Sequence, residues 1–197
     1  GTGTAFIVEG VSTSETNGQC HVLPYINRSA LDWDSGTDTT SVGLLLADRK
    51  YNTFVIPGIK RFNTGLALKA DVANFVCNMI HPGVLQNNKV GIDFSRVTAG
   101  KGINQNTFIG GAVVIDGAWN HASGRYYINM PDAENNTNTF VSVNLEKGGN
   151  EKAVICASND NLWLNCRFEG GDATTGYFTV SGSRNRLIGP DPTNATT

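Results

Sequence analysis

A chain of 197 residues with 23 glycines and only 16% charged residues can bury one substantial core, and its turn-rich composition is not that of a disordered segment. Its formal net charge of −2 gives no electrostatic case for nucleic acid or an anionic membrane, and nothing in it resembles a signal peptide or a membrane span. It opens Gly1-Thr-Gly-Thr without a methionine, so we expect a single domain taken from a longer parent chain.

The predicted elements come in pairs. After a first stretch with an insertion at 27–40 that carries Trp33 between Asp32 and Asp34, Gly43-Leu-Leu-Leu precedes Asn52-Thr-Phe-Val and Gly65-Leu-Ala-Leu precedes Asn74-Phe-Val-Cys. Gly91-Ile-Asp-Phe then leads to Asn106-Thr-Phe-Ile, and Tyr126-Tyr-Ile-Asn to Asn138-Thr-Phe-Val. Ala153-Val-Ile-Cys leads to Asn161-Leu-Trp-Leu, and Tyr177-Phe-Thr-Val to Asn185-Arg-Leu-Ile. Successive asparagines are 22, 32, 32, 23 and 24 residues apart. The unit is therefore roughly 20–25 residues, enlarged by about ten around 83–104 and 117–137.

Short apolar runs bounded by Gly, Asn and Asp, with no sustained 3.6-residue period, predict strands and turns and no helix longer than about two turns. The Leu-x-x-Leu-x-Leu frame of leucine-rich repeats is missing. The expected architecture is all-β: a right-handed parallel β-helix of about six to seven coils, stacked at about 4.8 Å. The repeated Asn is structural on this reading. It tolerates the left-handed backbone of a tight turn, and amides stacked coil on coil can hydrogen-bond to one another.

Alternation predicts which side chains fill the coil. In Thr139-Phe-Val-Ser-Val-Asn-Leu-Glu146 it puts Val141, Val143 and Leu145 inside and Ser142, Asn144 and Glu146 outside. In Leu162-Trp-Leu-Asn-Cys-Arg-Phe-Glu169 it puts Leu162, Leu164, Cys166 and Phe168 inside and Trp163, Asn165, Arg167 and Glu169 outside. The same parity leaves Phe54, Val76, Phe108, Phe140, Trp163 and Leu187 as an outward file too apolar to be left to water. Three explanations are open. Inserted loops cover the file, the parity is reversed and the file is core, or parallel subunits pack it around a threefold axis.

Cys20, Cys77, Cys156 and Cys166 lack the spacing of a zinc or redox site. The last three fall in predicted strands and read as buried free thiols, suited to a reducing cytoplasm. His21, His81 and His121 are too scattered for a metal site, so neither metal nor cofactor is expected. The sequons at Asn27, Asn135 and Asn194 are chance matches in an Asn- and Thr-rich chain.

The repeated strands, the Asn-x-x-aliphatic frame and the phrase Ser158-Asn-Asp-Asn-Leu-Trp-Leu-Asn-Cys-Arg-Phe-Glu-Gly170 resemble the pectate-lyase-like β-helix superfamily, over approximately residues 1–190. Within it, the Asn- and Gly-rich insertions and low charge look most like the β-helical body of bacteriophage tailspike or tail-fibre proteins. The Asp cluster of pectate lyases and the Asp-Asp pair of polygalacturonases are absent, so no catalytic residue carries over. What the resemblance implies is a homotrimeric virion-tail protein, assembled in host cytoplasm, that recognises and often cleaves a bacterial surface polysaccharide. A secreted monomeric polysaccharide lyase or hydrolase and a non-catalytic spacer are the rival readings.

Glu146 and Glu169 each lie eight residues after a repeated Asn, so coils stacked in register make them neighbours, their α-carbons about 4.8 Å apart. Paired carboxylates about 5–9 Å apart are what glycoside hydrolysis uses. Asn144 and Arg167, two residues earlier on the same face, could hold a sugar hydroxyl or carboxylate; a solvated Glu ladder is the bland reading. The second enlargement offers Trp119, Arg125, Tyr126 and Tyr127 for stacking and hydrogen bonding to sugar, with Asp116, Asp132 and Glu134 as further candidate acids.

Overall fold

The structure, a computed structural model, describes residues 3–9, 18–28, 39–115, 126–147, 152–170 and 178–189. Among them the strands fall into seven tiers. The first holds β1 (Thr4–Glu9), β2 (Cys20–Val22) and β3 (Ile26–Asn27), and the second β4 (Val42–Ala47) and β5 (Thr53–Lys60). The third holds β6 (Thr64–Ala70), β7 (Phe75–Val76) and β8 (Met79–Gln86); the fourth β9 (Val90–Val97), β10 (Ile103–Asn104), β11 (Thr107–Ile109) and β12 (Ala112–Val114). The fifth holds β13 (Tyr126–Met130), β14 (Thr139–Val141) and β15 (Asn144–Lys147), and the sixth β16 (Lys152–Cys156), β17 (Leu162–Leu164) and β18 (Arg167–Gly170). The seventh holds β19 (Phe178–Val180) and β20 (Arg186–Ile188).

The described residues are all-β and contain no helix. Every strand pairing is parallel, as for β4 with β6, β5 with β8, β15 with β18 and β17 with β20. One sheet takes the first strand of every tier in chain order, β1-β4-β6-β9-β13-β16-β19, a second sheet of 11 strands takes most of the later ones, and β7 pairs with β10 in a two-stranded sheet between them in the chain. Parallel neighbours need a crossover, and here the crossover from each strand of the first sheet runs through the second sheet. That arrangement is compatible with the expected parallel β-solenoid.

The asparagine ladder is present with one rung changed. The backbone N–H of Asn52 donates to Asn78 Oδ1 at 3.0 Å, that of Asn78 to Asn106 at 3.0 Å, and that of Asn106 to Asn138 at 3.1 Å. Asn138 then donates to Asn161 at 2.8 Å, and Asn161 to Asn185 at 2.9 Å. The third-tier rung is thus Asn78 and not Asn74, whose Oδ1 instead accepts from Gly102 N at 3.0 Å. The enlargement expected at 83–104 is corrected as well: most of that stretch is the end of β8, all of β9 and β10. The left-handed backbone also sits elsewhere than expected. It falls on the residue before each rung, at Tyr51, Cys77, Gln105, Thr137, Asp160 and Arg184, with φ between 56 and 58°. The asparagines supply the hydrogen bonds, and their predecessors make the bend.

The expected outward file is corrected in the same way. Phe54, Phe108 and Phe140 are 0% exposed and Trp163 is 2% exposed, all in the central core, where Ile80 fills the third-tier position. Their rings stack: Phe108 on Phe140 at 4.7 Å and Phe140 on Trp163 at 5.6 Å between centroids. His21 closes the stack on Phe54 at 5.0 Å. Of the expected file, Val76 is half-buried in β7 and only Leu187, in the last tier, is exposed. Val141, Leu162 and Leu164, expected inside, face outward and are half-buried.

The physical reason is a slip in alternation at a corner. β5 and β8 stay in strand through eight residues yet slip as well, their core side chains passing from Ile56 to Ile59 and from Ile80 to Leu85; the later tiers bend at the matching place, at Gly110, Ser142 and Asn165, with φ of 65, 52 and 50°. A left-handed residue lets two successive side chains face the same way, so Val141 and Ser142 both point out and Val143 returns to the core. Beyond the corner the expected parity holds: Val143, Leu145, Cys166 and Phe168 are buried.

Candidate functional site

β15 and β18 are paired in the register the spacing predicts. Asn144 is the Cα partner of Arg167, Leu145 of Phe168, and Glu146 of Glu169. The buried Leu145 and Phe168 anchor the two strands, so the flanking residues must face outward. Glu169 is ion-paired with Arg167, and Asn144 Nδ2 donates to Glu169 Oε2 at 3.5 Å. Glu146 is exposed and has no side-chain partner among the described residues. The two carboxylates, neighbours in register, are therefore unlike: one is held by a guanidinium and the other has no side-chain partner among the described residues.

Among the described residues, the other candidates sit elsewhere in the fold. Tyr127 is fully buried, and its hydroxyl donates to the Glu146 carbonyl at 2.7 Å, so its expected role in stacking on sugar is corrected to an internal strut. Tyr126 is half-buried at the start of β13, paired with Val90 and Lys152. Asp132 and Glu134 lie in a turn beyond Met130, past the far end of β13. There Asp132 Oδ1 accepts from Glu134 N at 2.9 Å. Asp116, Trp119 and Arg125 lie outside the described residues, as do His121, Asp32, Trp33 and Asp34.

Sequence reasoning missed a second file of amides two residues ahead of the rungs. Asn136 N donates to Asn104 Oδ1 at 2.6 Å, Asn159 N to Asn136 Oδ1 at 2.9 Å, and Ser183 N to Asn159 Oδ1 at 2.7 Å. The recurrence of Asn-x-Asn at 104, 136 and 159 was the available signal. It also missed the true outward file on the second sheet, where Val22, Val55, His81, Ile109, Val141, Leu164 and Ile188 share one column. Val22 is 75% exposed and Ile188 48%.

The four thiols are free. Cys156 and Cys166 are buried, and burial pushes both thiols above the ordinary range. Cys20 is exposed; Cys77, expected in a strand, sits half-buried at a left-handed bend with Sγ 3.2 Å from Gln105 Oε1. Shifted carboxylates lie away from the Glu pair. Hydrogen bonds from Lys69 and Thr98 lower Asp71, and one from Arg184 lowers Asp160. Among the described residues no group of three His, Cys, Asp or Glu could hold a metal ion.

Comparison with protein-family models, with curated proteins and with solved structures finds no match to this chain.

Proposed function

We propose that this chain is a right-handed parallel β-helix of the tailspike kind, a virion-tail domain that binds a bacterial surface polysaccharide. The reading is supported above all by the Glu146–Glu169 pairing with Arg167 and Asn144 beside it. A right-handed course is the ordinary hand for a crossover between parallel strands. Two carboxylates on adjacent strands would also allow hydrolysis. One carboxyl group would protonate the departing glycosidic oxygen while the other attacks the anomeric carbon or takes a proton from water.

The test is release of reducing ends from purified bacterial capsular polysaccharides. Glu146→Gln and Glu169→Gln should each abolish release while leaving binding nearly intact, because the amide keeps the shape and loses the proton chemistry. Binding without release, in the unmutated chain, would leave an adhesin. Full turnover in both variants would remove the pair from the chemistry.

Homotrimer formation remains part of the proposal, on a different face. With the aromatic file inside, a trimer would pack the column Val55, Ile109, Val141 and Leu164. The burial of that aromatic file in the coil's own core is also what favours the second reading, a secreted monomeric hydrolase or lyase of the same fold.

A further inference from the structure

The glycine at position 58 stands in the middle of β5, where a Cβ would lie 2.6 Å and 2.9 Å from Cε2 and Cδ2 of Tyr25. Its hydrogen is what lets the Tyr25 ring rest on the outer face of the sheet, and that ring is 54% exposed. Because Ile26 is the Cα partner of Ile59, Tyr25 heads the column that continues through Gly58, Val84, Ala112, Asn144 and Arg167. The adjoining outward column runs Asn27, Lys60, Gln86, Val114, Glu146 and Glu169. One uninterrupted face thus connects an exposed aromatic ring to the carboxylate pair.

The two ends of this face differ in charge. Around Tyr25 lie Lys60 and Arg61, with Arg61 Nη1 3.5 Å from Asn27 Oδ1 and 3.3 Å from the Arg28 carbonyl. At the far end lie Glu146 and Glu169. Between them Val84, 44% exposed, and the half-buried Ala112 form an uncharged shelf. Gly58 and Arg167 are four strand spacings apart, about 19 Å, the reach of about four pyranose units in an extended glycan.

We propose that this face is an extended subsite for a linear acidic polysaccharide laid across the stacked tiers, with one sugar ring on Tyr25 and its carboxylate toward Lys60. The polymer then passes over Val84 and Ala112 to Glu146 and Glu169. This rests on the reading of the Glu pair as a glycan site and adds to it the class and length of the ligand. An aromatic ring offers its face to the axial C–H bonds of a pyranose, and the ammonium of Lys60 supplies the anion selectivity.

The experiment measures binding of the full chain to immobilised bacterial capsular polysaccharides, acidic and neutral, and then to sized fragments of whichever polymer binds. We expect acidic polymers to bind and neutral ones not. Tyr25→Ala should weaken fragments of about six units by about tenfold and leave disaccharides unchanged, while Tyr25→Trp restores the loss. Lys60→Gln should weaken acidic fragments of the same length. Thermal melts of the Tyr25 variants should match the unmutated chain, since the ring is exposed. Full affinity of Tyr25→Ala for long fragments, or a preference for neutral polymers, overturns this inference alone if the Glu variants still alter turnover. Binding to no polysaccharide overturns the glycan reading itself.

Discussion

The hydroxyl of Tyr127, near the start of β13 in the first sheet, donates a 2.7 Å hydrogen bond across the core to the backbone carbonyl of Glu146, in β15 of the second. Ile115 N donates to the same carbonyl at 3.2 Å, so the oxygen stays satisfied without the tyrosine. Tyr127→Phe should therefore cost only about 1 kcal/mol in urea unfolding. A loss several times larger would mean that the hydroxyl holds more of the fold than this one bond.

The ladder makes a sharper prediction. Asn138 Oδ1 accepts from both N and Nδ2 of Asn106, and Asn138 Nδ2 donates to the carbonyls of Ile103 and Asn135. Asn138→Ala leaves a buried backbone N–H without its acceptor, and about 3 kcal/mol should be lost. Asn185→Ala, at the half-buried last rung, should cost less than half as much. Equal losses at the two positions would show that the ladder does not act through burial.

Charge placed on either side of one strand tests the register. Phe140→Asp would put a carboxylate between Phe108 and Trp163, and the chain should fail to fold. Val141→Asp and Leu164→Asp face outward and should leave the melting temperature within a few degrees. In the proposed trimer these two also dissociate the assembly, as light scattering would record. A folded Phe140→Asp beside an unfolded Val141→Asp would reverse the assigned parity.

The thiols predict an alkaline limit. Burial raises Cys156 and Cys166 above the ordinary 9.0, so the stability this contributes is fully present below pH 9 and is lost as pH rises through the folded values. Unfolding midpoints should fall above about pH 9, and Cys156→Ala should flatten that fall. With a disulfide-exchange reagent at pH 8, Cys20 should react first, and Cys156 and Cys166 only as the chain unfolds. Prompt reaction of all four thiols would contradict the buried placement.

Much of the first sheet was legible because its signals are local. The runs around Leu44, Leu66, Ile92, Ile128, Val154 and Phe178 do stack as consecutive strands. Equal spacing from Asn138 and Asn161 was enough to pair Glu146 with Glu169, because every intervening bend is repeated in both tiers. Asn78 was missed since Asn74 offers the same apolar run three residues long. Only the amide contact to Asn106 separates them.

The sequence by itself determined an all-β chain with a repeat, stacked amides and two acidic residues in step, since composition and period act over a few neighbouring residues. Which side of the strand became the core was decided only in three dimensions. Left-handed bends at Ser142 and Asn165 slip the alternation by one residue, and the matching positions, Gly110, Ser142 and Asn165, share no residue type that would mark the bend in the sequence. The choice is made by packing: Phe108, Phe140 and Trp163 bury large rings against one another in the core, and smaller Val141 and Leu164 are left half-buried on the outer side. Tyr127 joined the core by the same logic, because the facing sheet offered its hydroxyl an acceptor that no local pattern could foretell.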